Sequence, residues 1–202
     1  MIFFITNLNL VHEELYFSNI KIALENDISY MIIREKNKSY EELYEITKKI
    51  LSLKRESGSK TKILINSNLD ILKNLDLDGI HLSNEFYLNH KEEISKIKDK
   101  IIGYSIHSKE ELNRLPKNIN YLIAGNIFKT DCKKGLEGKG LKFLKELNEL
   151  TDKKIVAIGG INLENIKDIK EANLYGYAFM SSFIKNKNLK KFIDNLFEEI
   201  EV

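Results

Sequence analysis

Short runs rich in β-branched and aliphatic residues recur along the chain, separated by stretches whose apolar positions fall three and four residues apart. The runs are Ile2–Ile5, Tyr30–Ile33, Lys62–Ile65, Gly79–Leu82, Ile101–Ser105, Tyr121–Ala124, Ile155–Ile158 and Gly176–Met180. Several are apolar at both parities, as strands covered on both faces should be. After the second run, Tyr40, Leu43, Tyr44, Thr47, Ile50 and Leu51 share one helical stripe. Near the end of the chain Leu189, Phe192, Ile193, Leu196, Phe197 and Ile200 share another. Ser39 with Glu42, and Ser108 with Glu111, have capping-box spacing, so each predicts a helix start.

Eight strand–helix alternations predict an α/β fold of the (β/α)8 class, a TIM barrel, rather than an open doubly wound sheet. Each repeat takes about 25 residues, the compact end of the range for that fold. No linker, low-complexity tract or composition break appears, so residues 1–202 are expected to form one compact domain. In such a barrel, binding and catalytic groups gather at the C-terminal ends of the strands. The polar residues that follow each run are therefore the ones to weigh.

Composition narrows the partners. Hydrophobic residues at 43% and charged residues at 31% are the balance of a soluble globular protein. Lys and Arg number 32 against 30 Asp and Glu, a net charge of +2 that gives no global field for nucleic acid or a membrane surface. One cysteine cannot form an internal disulfide, and no Cys/His spacing suits zinc. The opening MIFFITN is too short and lacks the basic flank of a signal peptide, and no segment is long and apolar enough to span a bilayer. A cytoplasmic protein is expected, with no nucleic-acid or membrane partner; a homo-oligomer is left open.

The densest candidate chemistry lies in residues 121–140, YLIAGNIFKTDCKKGLEGKG. A strand passes there into a loop holding Thr130, Asp131, Cys132, Lys133, Lys134, Gly135, Gly138 and Gly140, and then into the periodic segment Leu141–Leu150. Lysines and backbone N–H groups before a helix suit an anion, although a solvated turn has the same composition. Its glycines and lysines predict mobility. Cys132 has no adjacent His or second Cys to lower its pKa and reads as non-catalytic.

Other strand ends offer paired readings. Arg34, Glu35 and Lys36 form either an anion clamp or a rim salt bridge. Asn66 is a ligand candidate, whereas Ser67 or Asn68 caps the next helix. His81, inside an apolar run, reads as a hydrogen-bonded core residue more readily than as a catalyst. Ser105 is expected inward; His107 could move protons or support the helix start at Ser108. The loops Ile158-Gly159-Gly160-Ile161 and Met180-Ser181-Ser182-Phe183 give the sharpest signal. Their backbone N–H groups suit a phosphate, and the two glycines let the backbone approach closely.

Taken together, these motifs resemble the superfamily of thiamine-phosphate synthase and the TenI-type thiazole tautomerase. The resemblance spans the whole chain and rests on Arg34-Glu35-Lys36, Ile65-Asn66, Gly79-Ile80-His81-Leu82, Gly103-Tyr104-Ser105-Ile106-His107, Gly125 through Thr130, Ala157 through Ile161 and Met180-Ser181. The run Thr130–Gly138 is particularly similar to the TenI branch. The resemblance implies a (β/α)8 barrel. In its synthase branch, a pyrimidine pyrophosphate and a thiazole phosphate are joined with magnesium held by two aspartates. At those two positions this chain has Ser67 and Phe86, and Ile32 replaces a pyrimidine-binding Gln. Only a divergent synthase using Glu85 and Asp131 would fit that branch.

The TenI branch needs no metal, and its resemblance implies an isomerase that aromatises a carboxylated thiazole phosphate. The general acid/base of that branch is a His where this chain has Asn126. An amide hydrogen-bonds but does not exchange a proton near neutral pH. The expected function is a thiazole tautomerase with an altered proton relay, involving Asn126, His107 and Glu35. The ligand, a small phosphorylated thiazole, is expected on Gly159, Gly160, Met180 and Ser181, with Thr130 and Lys133 closing over it. Arg34, Lys36, Asn66 and Ser105 would be further contacts. No metal or cofactor is expected. The alternatives are a non-catalytic thiazole or thiamine phosphate binder and a divergent synthase.

Overall fold

The computed structural model of the chain describes residues 1–130 and 137–201. Eight parallel strands, β1 (Ile2–Ile5), β2 (Tyr30–Ile33), β3 (Lys62–Asn66), β4 (Gly79–Leu82), β5 (Ile101–Ile106), β6 (Tyr121–Gly125), β7 (Lys154–Ile158) and β8 (Gly176–Phe179), close on themselves in sequence order. Nine helices are described around them: α1 (Glu13–Glu25), α2 (Tyr40–Ser57), α3 (Leu69–Asn74), α4 (Asn84–Asn89), α5 (Lys91–Ser95), α6 (Gly140–Leu150), α7 (Ile166–Lys170), α8 (Ser181–Ile184) and α9 (Leu189–Glu201). The chain is a (β/α)8 TIM barrel. Among the described residues no helix is long and apolar enough to cross a membrane.

Strand parity sorts the side chains into two cores. Phe3, Ile5, Ile32, Leu64, Tyr121 and Val156 point into the barrel. The opposite parity, exemplified by Phe4, Met31, Ile63, Ile80 and Leu122, packs against the helices. Burial on both sides explains why the strand runs read as apolar at both parities. Aromatic rings fill the lower barrel: Phe3 stacks on Tyr30 with centroids 4.3 Å apart and lies 5.0 Å from Tyr121.

Most element starts follow local chemistry. Ser39 and Glu42 form the reciprocal capping box of α2, and Gly58 ends that helix in the left-handed region at φ +66°. Asn68 caps α3 by accepting from the Ile71 N–H at 2.9 Å. Two expectations are corrected. Tyr40 opens the α2 stripe but is 40% exposed, with its ring stacked on Tyr44 and its hydroxyl accepting from the Asn74 amide at 2.8 Å. The Ser108–Glu111 capping box does not form; Glu110–Arg114 is a 3-10 turn, and the Glu111 carboxylate accepts instead from the His107 N–H at 2.7 Å. Pro116 holds Leu115 extended, which leaves no room for a longer helix.

Candidate functional site

Inward parity carries a polar layer to the C-terminal mouth of the barrel. Beyond the apolar layers, Arg34 follows β2, Asn66 ends β3, and His81 and Ser105 stand on β4 and β5. Asn66 is in register with His81, and His81 with Gly103. His81 is 2% exposed. Its Nε2 lies 2.8 Å from the Ser105 hydroxyl and its Nδ1 lies 3.2 Å from the Tyr121 hydroxyl. Burial, reinforced by the charges of Arg34 and His107, lowers its pKa to about 3. His81 is thus a neutral, hydrogen-bonded core histidine near pH 7.

Glu35 has the opposite parity and turns toward α1. Only 8% exposed, it accepts hydrogen bonds from the Thr6 hydroxyl at 2.5 Å, the Leu8 N–H at 2.6 Å and the Tyr16 hydroxyl at 2.8 Å. Burial and the adjacent Glu35 charge push the Tyr16 pKa well up. Three donors and full commitment make this carboxylate a brace between β1, β2 and α1. The structure does not bring it to Asn126 or His107. Lys36, next along, is exposed at the rim.

The ends of β5 and β6 are joined by polar contacts. His107 Nδ1 donates to the Gly125 carbonyl at 3.2 Å. The Lys139 ammonium donates to the Gly125 carbonyl at 2.9 Å and also to the His107 carbonyl. Its backbone N–H reaches the Asn126 carbonyl at 3.0 Å. Asn126 is 4% exposed and follows a cis peptide bond; its amide NH2 faces the carbonyls of Phe128 and Glu137 at 3.4 and 3.5 Å.

Alongside these groups lies a cleft of about 670 Å³ at the ends of β6, β7 and β8, the size of an ordinary small-molecule site. Asn126, Thr130, Gly159, Gly160, Met180 and Ser181 all line it. Gly159 and Gly160 have φ of +102° and +67°, and a Cβ on Gly160 would lie 2.6 Å from the Lys129 carbonyl oxygen. The Asn165 amide braces this turn by donating to the Gly160 carbonyl at 2.8 Å. Among the described residues, the backbone N–H groups of Gly160, Ser181 and Ser182 have no protein acceptor. Amides left over at the β7 and β8 loops, in a cleft also lined by Lys129 and Lys185, suit a phosphate dianion. A larger groove of about 950 Å³ runs outside the barrel along α2, far from the strand ends where polar groups converge.

Residues 2–183 match the family described as thiamine monophosphate synthase. The chain belongs to the thiamine monophosphate synthase family. Thiamine-phosphate synthase of Desulfitobacterium hafniense (strain Y51) is 32% identical over 189 residues, 93% of this chain and 90% of that protein. The enzyme of the same name from Clostridium botulinum (strain Loch Maree / Type A3) is 33% identical over 177 residues, 86% of this chain and 85% of its own length. Among solved structures, thiamine phosphate pyrophosphorylase from Pyrococcus furiosus superimposes with a TM-score of 0.83 at 30% identity, covering 99% of this chain and 95% of that one.

Within this family, the synthase branch implies magnesium, and the donor set here does not fit it. Ser67 occupies the β3 end at φ +49°, where its hydroxyl accepts from the Ser83 N–H at 3.0 Å and lies 3.3 Å from the Ser83 hydroxyl. Ser83 in turn caps α4, accepting from the Phe86 N–H at 3.2 Å. At the first of the two aspartate positions there is thus a neutral hydroxyl, engaged with Ser83, in place of a carboxylate. Phe86 stacks on His90 with centroids 4.1 Å apart, and Glu85 is exposed. Among the described residues no group of three or more His, Cys, Asp or Glu could hold a metal ion.

Lys133, Asp131 and Cys132 lie outside the described residues, as does most of the loop read as mobile. Lys129, Lys139 and Lys185 were not singled out as site residues by sequence reasoning. Lys185 had a usable signal, standing one helical turn after Ser181. Lys139 had none, since its contacts with Gly125 and His107 exist only once β5 and β6 are paired.

Proposed function

We propose that the cleft binds a phosphorylated thiazole and that the chain isomerises it without a carboxylate-held metal, as the TenI-type branch does. The phosphate would rest on the amides of Gly160, Ser181 and Ser182 beside Lys129 and Lys185, and the ring would face Ser105 and Asn66. The observation that carries the reading is what stands at the two aspartate positions: the Ser67 hydroxyl is engaged with Ser83 and Phe86 stacks on His90, so neither offers an anionic ligand for the magnesium of a synthase. Tautomerism only moves a proton between positions of one conjugated system, so a single acid/base suffices. His107, held at the end of β5 by its Nδ1 contact with the Gly125 carbonyl, is the acid/base of this reading. Asn126 supports the site through hydrogen bonding alone.

A synthase is the second reading, supported by the names of the relatives at 32% and 33% identity. Two assays separate the readings. In the first, the carboxylated thiazole phosphate tautomer is followed by absorbance without metal; in the second, thiazole phosphate, the aminopyrimidine pyrophosphate and magnesium are followed for coupled product. Turnover is expected in the first and not in the second. His107→Asn should slow it by about 10²–10⁴-fold, and Asn126→His should raise it. Coupled product without tautomerisation would make the chain a synthase. Turnover in neither, with the aromatic thiazole phosphate still bound and displaceable, would make it a binding protein.

A further inference from the structure

The Tyr121 hydroxyl sits deep in the barrel, 1% exposed, and among the described residues its hydrogen-bond partner is His81 Nδ1. The other ring nitrogen meets Ser105, which is half-buried at the mouth. A neutral imidazole has one N–H and one lone pair, so this three-membered chain can be protonated in only two ways. In one, Tyr121 donates to Nδ1, Nε2–H donates to the Ser105 oxygen, and the Ser105 hydrogen points outward. In the other, Nδ1–H donates to Tyr121, whose own hydrogen is left buried without an acceptor, and Ser105 donates inward. The first arrangement orphans nothing. The second strands a hydroxyl hydrogen in an apolar interior, a bias of about tenfold to a hundredfold toward the first.

We propose that Tyr121 and His81 are positioning residues that fix the Ser105 hydroxyl as a hydrogen-bond donor toward the mouth, so that the site selects a ligand presenting an acceptor atom there. A ring nitrogen lone pair or a carboxylate oxygen meets that requirement, and an N–H edge does not. Gly103 belongs to the same device. A Cβ at that position would run into the Tyr121 ring and His81 Nδ1, so only glycine leaves room for the Tyr121–His81 bond. The choice of a thiazole ligand rests on the function proposed above; the donor polarity of Ser105 does not.

Long-range ¹H–¹⁵N correlation on the ligand-free, ¹⁵N-labelled protein reads the tautomer directly, with the His81 signals assigned by their absence in His81→Gln. The expected result is a protonated Nε2 and a bare Nδ1. A protonated Nδ1 in the wild type overturns the proposal whether or not any thiazole binds. In Tyr121→Phe both arrangements leave one group unpaired, so the tautomer bias should collapse; an unchanged tautomer would reduce Tyr121 to packing and overturn its role. Ser105→Ala should weaken thiazole phosphate by about tenfold while leaving inorganic phosphate affinity unchanged. Equal weakening of both probes overturns the selection at Ser105. A protonated Nε2 in a protein that binds no thiazole phosphate would support the donor polarity and sink the ligand assignment instead.

Discussion

Lowering the pH from 6.5 to 5 should destabilise the barrel through one residue, His81. Its surroundings cannot accept a cation. The ring is buried between Tyr121 and Ser105, neither of which carries a compensating charge, and Arg34 and His107 add repulsion. Burial is the largest cause of a pKa depressed from 6.5 to about 3. For a base whose folded pKa is depressed, the stabilising contribution is complete above the unfolded value and is lost as pH falls toward the folded one. Within that window the unfolded chain holds one more proton than the native chain, so stability falls by about 1.4 kcal/mol per pH unit. Between pH 6.5 and 5 the loss is about 2 kcal/mol, and across the full window it is on the order of 5 kcal/mol. That is a large part of a typical net stability of about 5–15 kcal/mol. Carboxylates, whose unfolded pKa values are near 4, contribute little above pH 5. Asp78, held low by the Ile63 N–H and the Lys62 and Lys54 ammonium groups against the opposing effect of burial, would add its share only below that. Urea unfolding followed by far-UV circular dichroism, at several pH values for wild type and His81→Gln, isolates the term. The wild type should lose about 2 kcal/mol more than the variant between pH 6.5 and 5. The same pH dependence in both proteins would refute a neutral buried His81.

Three further outcomes follow from the same contacts. Replacing Glu35 by Leu strands the Thr6 and Tyr16 hydroxyls and the Leu8 N–H, and should destabilise the protein by about 3–5 kcal/mol in chemical denaturation; a loss under about 1 kcal/mol would mean that these donors find other partners. Gly160→Ala sets a Cβ against the Lys129 carbonyl at positive φ, so thermal unfolding should show a loss of about 1–3 kcal/mol and calorimetry a weaker affinity for inorganic phosphate. An unchanged phosphate affinity would place the anion elsewhere. The chain has nine tyrosines, and burial raises the pKa of Tyr16 and Tyr121 well above 10. Their stabilising neutrality is present below pH 10 and lost as pH rises above it, so absorbance titration should show fewer than nine phenolates until alkaline unfolding releases the rest.

What the sequence determined by itself was the barrel and which polar residues stand at the C-terminal ends of its strands. Eight strand runs buried on both faces have few other ways to hide both parities. Local signals also held where the chemistry is local: Asn68 bonds a backbone group three residues on, and Gly159-Gly160 adopts a backbone that only glycine takes easily. The direction of a side chain at the strand ends was decided by the tertiary structure. Arg34 and Glu35 are neighbours in sequence, yet barrel closure sends one toward the mouth and the other onto α1, because alternate residues of a strand face opposite ways. The apparent capping box at Ser108 failed because His107 N–H drew Glu111 and Pro116 cut the segment short. The Ser105–His81–Tyr121 chain joins residues 24 and 40 positions apart, and the match of donor to acceptor along it exists only once β4, β5 and β6 lie side by side. Sequence period fixes which residues are buried, whereas the protonation and partnership of buried polar groups depend on atoms brought together from distant parts of the chain.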